Sequence, residues 1–526
     1  MRNASYSPRE GALATTTPSP DEPGGPGRGP AAPRLIGLAT AIAGTSAAIF
    51  YSRAGLALAH YDARAHLVVA RRILDSLMPG WQQVGAVWLP LPHVLNMLPV
   101  QVDAWYRTGA SAIAISVVSM AVAAWALASL VIRRTGSVAG GAAGAALLLA
   151  NPNILYLQST PMTEPLLFGT TMLAVALTAE WVDRGAPARP GTAGFALVAA
   201  CMTRYEAWPV CGGLLLLALA VLVRRGTPLR GALFSVASLA AYPAIAVVLF
   251  VLNSRWTVGA WFVSGGFFVA ENEALGQPLV AWDQVREGVY RLSGPGLVWP
   301  AYAAAALIVW TFARSRARAS LVLVLSLAAA AALPWYAYLE GHPFRIRYAV
   351  PLIVACAALV ATGIGLLPRR LRAVAAVAAV AASLWEVSPL DSSAAVVAES
   401  QRDARNMVER RAVTNYLVEH HDGRPIMMSM GSLAHYMHDL SLVGFDVHDF
   451  LHEGNGEVWT SAMLYGPRAY VTWVAIEERA EGGDAVFQRS RQSSRFLEGF
   501  ERVAEGGGVA LYRATSHNSS APSRGF

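Results

Sequence analysis

The sequence predicts a mainly α-helical, polytopic membrane protein that forms a bundle of about eleven spans. It also predicts an amphipathic, interfacial helix in the first exterior loop and an exterior α/β domain at the C-terminal end. Three observations indicate this fold class. Of the 526 residues, 55% are hydrophobic and only 14% are charged, with a mean hydropathy of +0.41. Apolar runs of about 20 residues, the length that crosses a bilayer, recur along most of the chain. Short strand-like runs follow only beyond residue 389.

Four segments are expected along the chain. Residues 1–33 are rich in Pro, Gly, Ser and Thr, cannot bury a core, and are predicted to be a disordered cytoplasmic tail. Residues 34–389 form the transmembrane domain, residues 390–516 the exterior α/β domain, and residues 517–526 a second disordered tail. The predicted spans are 35–53, 109–132, 137–155, 165–182, 192–204, 207–223, 231–252, 296–312, 320–338, 348–367 and 373–389.

Arginines set the predicted orientation, because short cytoplasmic loops are enriched in basic residues. If the N-terminal tail is cytoplasmic, every inside junction is basic. These junctions carry Arg34, Arg133, Arg134, Arg184, Arg189, Arg224, Arg225, Arg230, Arg314, Arg316, Arg318, Arg369, Arg370 and Arg372. The expected location is therefore the cytoplasmic membrane, with several passes and with the C-terminal domain outside.

Composition excludes several classes of function. All 41 basic residues are arginine, so a Walker A phosphate loop and Schiff-base catalysis, which both need lysine, are excluded. Any phosphate must be bound by arginine, whose planar guanidinium suits that task. The net charge of +7 comes from arginines dispersed between apolar spans, so nucleic acid is not an expected partner. Cys201, Cys211 and Cys356 lie in apolar stretches and are expected to be core residues.

The first exterior loop carries a concentration of polar residues that are costly beside lipid. It begins with the stretch from His60 to His66, which includes Asp62. From residue 62 to 78, apolar side chains recur at helical spacing, which predicts the amphipathic helix. Asp62 stands at its start, where the helix dipole favours a carboxylate. A purely structural alternative is that Asp62 caps this helix and that His66, one turn later, is its partner.

Further polar residues fall in the other exterior turns. Glu164 opens an apolar helix after the third span, and Arg204 and Glu206 follow the short fifth span. Arg347 and Tyr348 precede the tenth span. An interfacial belt of Trp, Tyr and Arg would explain some of these residues. A belt should occupy both membrane faces, however, whereas the acids, histidines and aromatics collect on the exterior side.

These residues resemble a known group of enzymes. The motifs from Tyr61 to His66, from Thr163 to Pro165, and Arg347-Tyr348 with Pro351-Leu352 look like those of the C-type integral-membrane glycosyltransferases. That superfamily includes polyprenyl- and dolichyl-phosphate-sugar-dependent mannosyltransferases and aminoarabinose transferases. The resemblance covers about residues 35–389. Many relatives have paired acids in the first exterior loop, whereas here Asp62 lies between Tyr61 and Ala63, which leaves open which acid is the base.

The resemblance implies transfer of a hexose or pentose from a polyprenyl-phosphate donor to an acceptor hydroxyl at the outer membrane face. Asp62 would be the general base and Glu164 a second acid. Arg204, Arg345 and Arg347 would bind the donor phosphate, although topology alone could explain each arginine. The remaining candidates for substrate binding are Tyr61, His66, Trp88, His93, Glu206 and Tyr348. For Trp88, anchoring at the membrane interface is the alternative.

The implied partners are the lipid-phosphate donor, membrane lipids and a glycan, lipid or protein acceptor. No cofactor is implied with certainty, but a divalent metal between acids and phosphate is possible in this group. Two other functions stay open. A ligase or polymerase of lipid-linked glycans would use similar chemistry, with residues 253–295 as its long exterior loop. A transporter or flippase should instead place polar groups near the bilayer midplane.

Overall fold

The computed structural model describes residues 31–85, 87–185, 189–262, 268, 271–480 and 483–515. The two predicted tails, 1–33 and 517–526, lie outside the described residues, except that residues 31–33 form the first turn of the first helix.

The part of the chain before residue 390 is helical. Its helices are α1 (Ala31–Arg53), α2 (Tyr61–Arg71), α3 (Leu91–Asn96), α4 (Asp103–Thr108), α5 (Ala110–Thr135), α6 (Val138–Ala150), α7 (Pro152–Leu157), α8 (Glu164–Arg184), α9 (Gly191–Cys201), α10 (Ala207–Arg224), α11 (Leu229–Thr257), α12 (Pro278–Ser293), α13 (Pro295–Arg314), α14 (Ala332–Leu339), α15 (Val350–Leu366) and α16 (Arg369–Glu386). The 3₁₀ segment Ala319–Ala331 runs into α14, and Ile346–Ala349 runs into α15.

Eight helices of the described chain are long and apolar enough to cross a membrane. They are α1, α5, α8, α10, α11, α13, the continuous segment Ala319–Leu339 and the continuous segment Ile346–Leu366. Two further predicted spans coincide with α6 and α9, which are apolar but shorter, and the last coincides with α16. The prediction of a polytopic, mainly helical membrane protein is therefore confirmed.

The bundle has a crowded centre and a lipid-facing rim. The segment ending in α15 is largely enclosed by other helices, whereas α11 packs on one side against α9 and α10. Small residues allow the close approaches at the centre. A side chain at Gly169 of α8 would place its Cβ 2.7 Å from the carbonyl oxygen of Ser119 on α5, so glycine is required there. This contact fixes α8, and with it the position of Glu164 at its start.

The C-terminal part folds as a small α/β unit around a five-stranded sheet. Its elements are α17 (Ala395–Glu409), α18 (Arg411–His420), β1 (Ile426–Met427), α19 (Met430–Ser441), β2 (Phe450–Leu451), α20 (Gly456–Tyr465), β3 (Trp473–Glu477), α21 (Ala485–Gln492), β4 (Phe500–Gly506) and β5 (Val509–Ala514). The strand order is β2-β1-β3-β5-β4, with β1 parallel to β2 and β3, and β5 antiparallel to β3 and β4. The predicted α/β character is confirmed.

Helix α2 joins the bundle to this α/β unit. Its apolar residues Leu67 and Val68 share one core with Leu433 and Met437 of α19. The predicted helix of the first loop is therefore present, but it ends at Arg71, earlier than the 78 that the spacing predicts. The residues that follow form turns and short helical segments before α5.

Candidate active site

Asp62 lies in the first turn of α2. Its backbone N–H donates to Nδ1 of His60, the residue that caps the helix, at 3.1 Å. Its carboxylate accepts a hydrogen bond of 2.5 Å from Nη2 of Arg347. Burial alone would raise the pKa of Asp62, but the charge of Arg347 and its hydrogen bond outweigh burial and hold the pKa well below its ordinary value. Asp62 is therefore ionised at neutral pH.

Two more acids, Glu164 and Glu206, lie beyond Arg347 in the same network of ion pairs. Glu164 is 1% exposed, and its Oε1 lies 3.3 Å from Nη1 of Arg204 and 3.8 Å from Nη1 of Arg347. Arg204 also donates from Nη2 to Oε1 of Glu206 at 2.7 Å. Positive and negative side chains therefore alternate in the order Asp62, Arg347, Glu164, Arg204, Glu206. We call these five residues the acid–arginine cluster.

The acid–arginine cluster contains buried polar atoms that have no hydrogen-bond partner among the described residues. They are both carboxylate oxygens of Glu164 and Nε of Arg347. Buried polar groups are almost always paired in folded proteins. Spare donors and acceptors inside a charged cluster therefore indicate a place for a polar ligand or for water.

Three aromatic side chains form a group beside the cluster. Nδ1 of His66 lies 3.0 Å from Nε2 of His93, and the ring of Trp88 packs against both, with centroid distances of 4.0 and 5.8 Å. Burial lowers the pKa of His66 to about 3, although the charge of Asp62 opposes it. Burial also holds the pKa of His93 well below its ordinary value. Both imidazoles are therefore neutral at pH 7, and one donates a hydrogen bond to the other.

Two small clefts adjoin the cluster, and they differ in how many of their lining residues have polar side chains. The first is partly polar and meets the cluster at Thr163, whose hydroxyl accepts a 2.9 Å hydrogen bond from Arg204. It is lined by His66, Pro92, His93, Asn96, Ala112, Ile115, Ser116, Pro161, Met162, Thr163 and Leu166. The second is mostly apolar and meets the cluster at Glu206. It is lined by Leu167, Phe168, Thr171, Glu206, Val210, Leu327, Ala330, Pro351 and Val354.

Tyr61 lies at the edge of the cluster. Its ring is stacked on His60, at a centroid distance of 4.9 Å, and meets the edge of His435 at 6.0 Å. The charge of Asp62 and burial raise the pKa of Tyr61, whereas the charges of Arg347 and, less strongly, Arg345 lower it. Tyr61 is therefore an uncharged phenol that can donate a hydrogen bond, and Arg345 is close enough to act on it electrostatically.

The remaining candidates lie between the cluster and a neighbouring loop. The hydroxyl of Tyr348 is 3.4 Å from Nε2 of His342, so this tyrosine contacts the loop that contains His342. The carbonyl oxygen of Arg345 accepts a 2.8 Å hydrogen bond from the hydroxyl of Tyr338. Together these contacts fix the start of the Ile346–Leu366 segment, which carries Arg347 into the cluster.

The cluster does not resemble a metal centre. No group of three or more His, Cys, Asp and Glu side chains in the described part of the chain is placed to hold a metal ion. The reason is that Arg347 and Arg204 lie between the three acids and neutralise them in place. A divalent cation would have to displace at least one guanidinium.

Three polar residues at the site were not among the sequence-predicted candidates. His60 is fully buried, and it lies 3.7 Å from Oε1 of Glu399 and 3.8 Å from Oδ2 of Asp403. Both acids belong to α17, more than 330 residues further along the chain. The adjacency of His60 to Asp62 could have indicated a role, but no local signal in α17 points to this site.

The geometry supports a definite kind of chemistry. An ionised carboxylate stands beside guanidinium groups with spare hydrogen-bonding capacity, between one partly polar and one mostly apolar cleft. Such a site can accept a proton at Asp62 and stabilise an anion at the arginines.

Comparison with solved structures finds a similar fold. ArnT from Cupriavidus metallidurans bound to undecaprenyl phosphate matches with a TM-score of 0.53 at 12% sequence identity, over 90% of this chain and 97% of that one. The same protein in the apo state matches with a TM-score of 0.47 at 13% identity, over 86% and 92% of the two chains. No protein-family model matches the sequence, and no curated protein does. The likeness shows that this chain shares the overall fold of that protein, which is the fold expected from the sequence motifs.

Proposed function

We propose that this chain is a membrane glycosyltransferase that moves a sugar from a polyprenyl-phosphate-linked donor to an acceptor at the outer face of the cytoplasmic membrane. The observation that carries the proposal is the acid–arginine cluster, with buried donors and acceptors that lack partners among the described residues. It lies in a fold similar to that of a protein crystallised with undecaprenyl phosphate.

Arg204 and Arg347 are the proposed phosphate ligands, with Arg345 at the edge of the site. Nε of Arg347 is a buried donor without a partner among the described residues, and a phosphate oxygen would satisfy it. The cleft at Glu206 is lined mostly by apolar side chains and would have to widen to take the first part of a lipid chain. The sugar would then face the partly polar cleft with His66 and His93.

Asp62 is the proposed general base. The acceptor oxygen attacks the anomeric carbon and forms the new C–O bond, while its proton passes to the carboxylate of Asp62. The bond from the anomeric carbon to the phosphate oxygen breaks, and the polyprenyl phosphate leaves with the electron pair. A phosphate at Arg347 would compete with Asp62 for the guanidinium, which would make Asp62 a stronger base when the donor is bound.

Glu164 is the proposed second acid. Its carboxylate forms ion pairs with Arg204 and Arg347. The carboxylate oxygens accept no hydrogen bond from the described residues, so an acceptor hydroxyl could donate one to Glu164. Tyr61, Trp88 and Tyr348 are proposed to contact the sugar or the acceptor. A hydroxyl of a glycan, a lipid or a protein would each serve as the acceptor in this chemistry.

The test is sugar transfer from a panel of radiolabelled undecaprenyl-phosphate monosaccharides into membranes that contain the protein. Asp62→Asn should lower transfer by at least about 100-fold, the usual contribution of a general base. It should still bind undecaprenyl phosphate. The matched control is Asp283→Asn, which changes an exposed carboxylate on α12 that pairs with Arg286, and should transfer normally.

Other outcomes would change the proposal. Full transfer by Asp62→Asn would remove Asp62 from the mechanism. No transfer from any monosaccharide donor by a folded wild-type protein would favour a ligase or polymerase of lipid-linked glycans. A transporter should carry its polar groups near the bilayer midplane, whereas Asp62 and Glu164 stand at the starts of helices.

A further inference from the structure

The first turn of α2 is held by residues of the C-terminal α/β unit. A helix begins with backbone N–H groups that have no partner inside the helix. Here the N–H of Tyr61 donates to Oδ2 of Asp403 at 3.1 Å, and the N–H of Asp62 donates to Nδ1 of His60 at 3.1 Å. One of these acceptors belongs to α17, and the other lies directly against it.

A backbone hydrogen bond fixes the tautomer of His60. Because the N–H of Asp62 can only donate, Nδ1 of His60 must carry a lone pair, and the ring proton is on Nε2. Nε2 faces Oε1 of Glu399 at 3.7 Å, an ion-pair distance that is too long for a hydrogen bond. The ring is fully buried and is stacked on Tyr61, so it has little room to turn.

Asp62 is therefore fixed from two directions. Its carboxylate is held by Arg347 from the membrane bundle, at 2.5 Å. Its backbone is held by His60, which Glu399 orients from the C-terminal unit. Glu399 reaches the backbone of Asp62 through His60, and its charge also acts on Arg347, the other group that holds Asp62.

We infer that His60 and Glu399 form a positioning pair for Asp62, so that the C-terminal α/β unit completes the transfer site. This inference rests on the proposed function of Asp62 as the base. The physical reason is that proton transfer requires the base within hydrogen-bond reach of the acceptor oxygen. A displacement of about 1 Å at a reacting group can lower a rate by about 100-fold.

A simpler explanation is that these contacts only dock the C-terminal unit onto the bundle. Other contacts serve that purpose without touching Asp62. Arg64 of α2 forms hydrogen bonds of 2.5 and 2.6 Å with the carboxylate of Asp439, and His448 contacts Asp75 at 2.6 Å. His448→Gln is therefore a matched control, since it weakens the same interface away from Asp62.

Two variants separate positioning from folding. His60→Asn keeps an oxygen that can cap the helix, because asparagine is a preferred N-cap residue, but it loses the group that faces Glu399. Glu399→Gln keeps the shape of the side chain and removes its charge. With radiolabelled undecaprenyl-phosphate monosaccharide as donor, each should lower kcat about tenfold, with KM and the unfolding temperature unchanged. The double variant should lose no more than either single variant, because the two residues act as one unit.

A second readout does not depend on activity. Hydrogen exchange of a peptide that contains the first turn of α2 should be about tenfold faster in Glu399→Gln than in wild type, since the amide of Asp62 is less well held. His448→Gln should leave this peptide unchanged.

The outcomes are distinguishable. Normal kcat and normal exchange in both variants would overturn the positioning role, as would an equal loss in His448→Gln. Loss of kcat only together with a lower unfolding temperature would reduce the pair to a structural contact. The proposed function fails if wild-type protein transfers no sugar or if Asp62→Asn transfers normally. In that case the exchange measurement still tests the pair. Unchanged hydrogen exchange of the α2 peptide in Glu399→Gln would show that Glu399 does not help to hold the backbone of Asp62.

Discussion

Arg204 shows how single residues in this site depend on one another. It lies between Glu164 and Glu206, two carboxylates that are almost fully buried. Burying a charge is costly unless an opposite charge and hydrogen bonds compensate it. Each member of the acid–arginine cluster therefore offsets the burial cost of its neighbours, and removal of one member leaves another uncompensated.

Arg204→Met should consequently destabilise the protein by about 3 kcal/mol, the usual cost of breaking a buried ion pair. Adding Glu206→Gln to that variant should recover part of the loss, because one uncompensated charge is then removed. The measurement is the unfolding temperature of the detergent-purified protein. The matched control is Arg291→Met, which removes an exposed arginine paired with Glu287 on α12 and should change stability by less than about 1 kcal/mol. Equal effects of the two substitutions would contradict the prediction.

The sequence could identify much of the cluster but not its connections. Asp62, Glu164 and Arg204 stand at the ends of apolar runs, where charged side chains are costly and therefore conspicuous. The contacts of His60 with Glu399 and Asp403 could not be predicted, because they join segments more than 330 residues apart. Binding of a divalent metal would require the acids to lie side by side, and the sequence does not show how they are arranged. In the structure arginines separate them.

Helix α2 illustrates the same limit for a whole element. Its apolar spacing predicts a helix, and a helix is present. In an amphipathic helix with this spacing, the charged side chains of Arg64 and Arg71 fall on a separate, polar face. Both are buried in the structure, because Asp439 and Asp446 of the C-terminal unit pair with them. Local periodicity can indicate that an element is amphipathic, but it cannot show that a distant domain supplies partners for the polar face.

Helix α19, which packs on α2, should make the interface sensitive to acid. Nε2 of His438 donates to the carbonyl oxygen of Tyr106 at 3.1 Å, and burial lowers the pKa of His438 to about 4. The unfolded chain takes up a proton below about pH 6.5, the ordinary value for histidine, whereas the folded protein does not until about pH 4. The unfolded state then binds more protons, so the free energy of unfolding should fall as the pH decreases through this window.

The check is the unfolding temperature between pH 7.5 and 5, for wild type and for His438→Gln. Glutamine can still donate to the carbonyl of Tyr106 but does not titrate, so the variant should lose less stability on acidification. His448 acts in the opposite sense, because its hydrogen bond to Asp75 raises its pKa. Its contribution is present in both proteins and cancels in the comparison. Parallel pH profiles would show that His438 is not buried as a neutral ring.

At the scale of the whole molecule, charged residues divide between the two ends of the bundle. The acid–arginine cluster and the C-terminal unit lie at one end. At the other, Arg134 pairs with Asp183 at 2.5 Å, Arg225 contacts the same carboxylate, and Arg372 donates to the carbonyl oxygen of Thr135 at 2.9 Å. The sequence predicted this division, because alternate junctions between spans differ so clearly in composition.

The orientation of these two ends is the remaining prediction, and the proposed chemistry outside the cytoplasm depends on it. Basic junctions favour the cytoplasmic side, so Ala317→Cys, at an exposed arginine-rich turn, should face the cytoplasm. Ser494→Cys, exposed on the C-terminal unit, should face outside. In intact cells a membrane-impermeant maleimide should label only the Ser494→Cys variant, and after lysis it should label both. Wild-type protein supplies the background, because Cys201 and Cys211 are buried and Cys356 lies within α15. The reverse labelling pattern would place Asp62 and the arginines on the cytoplasmic side, and the donor sugar would then have to be presented there.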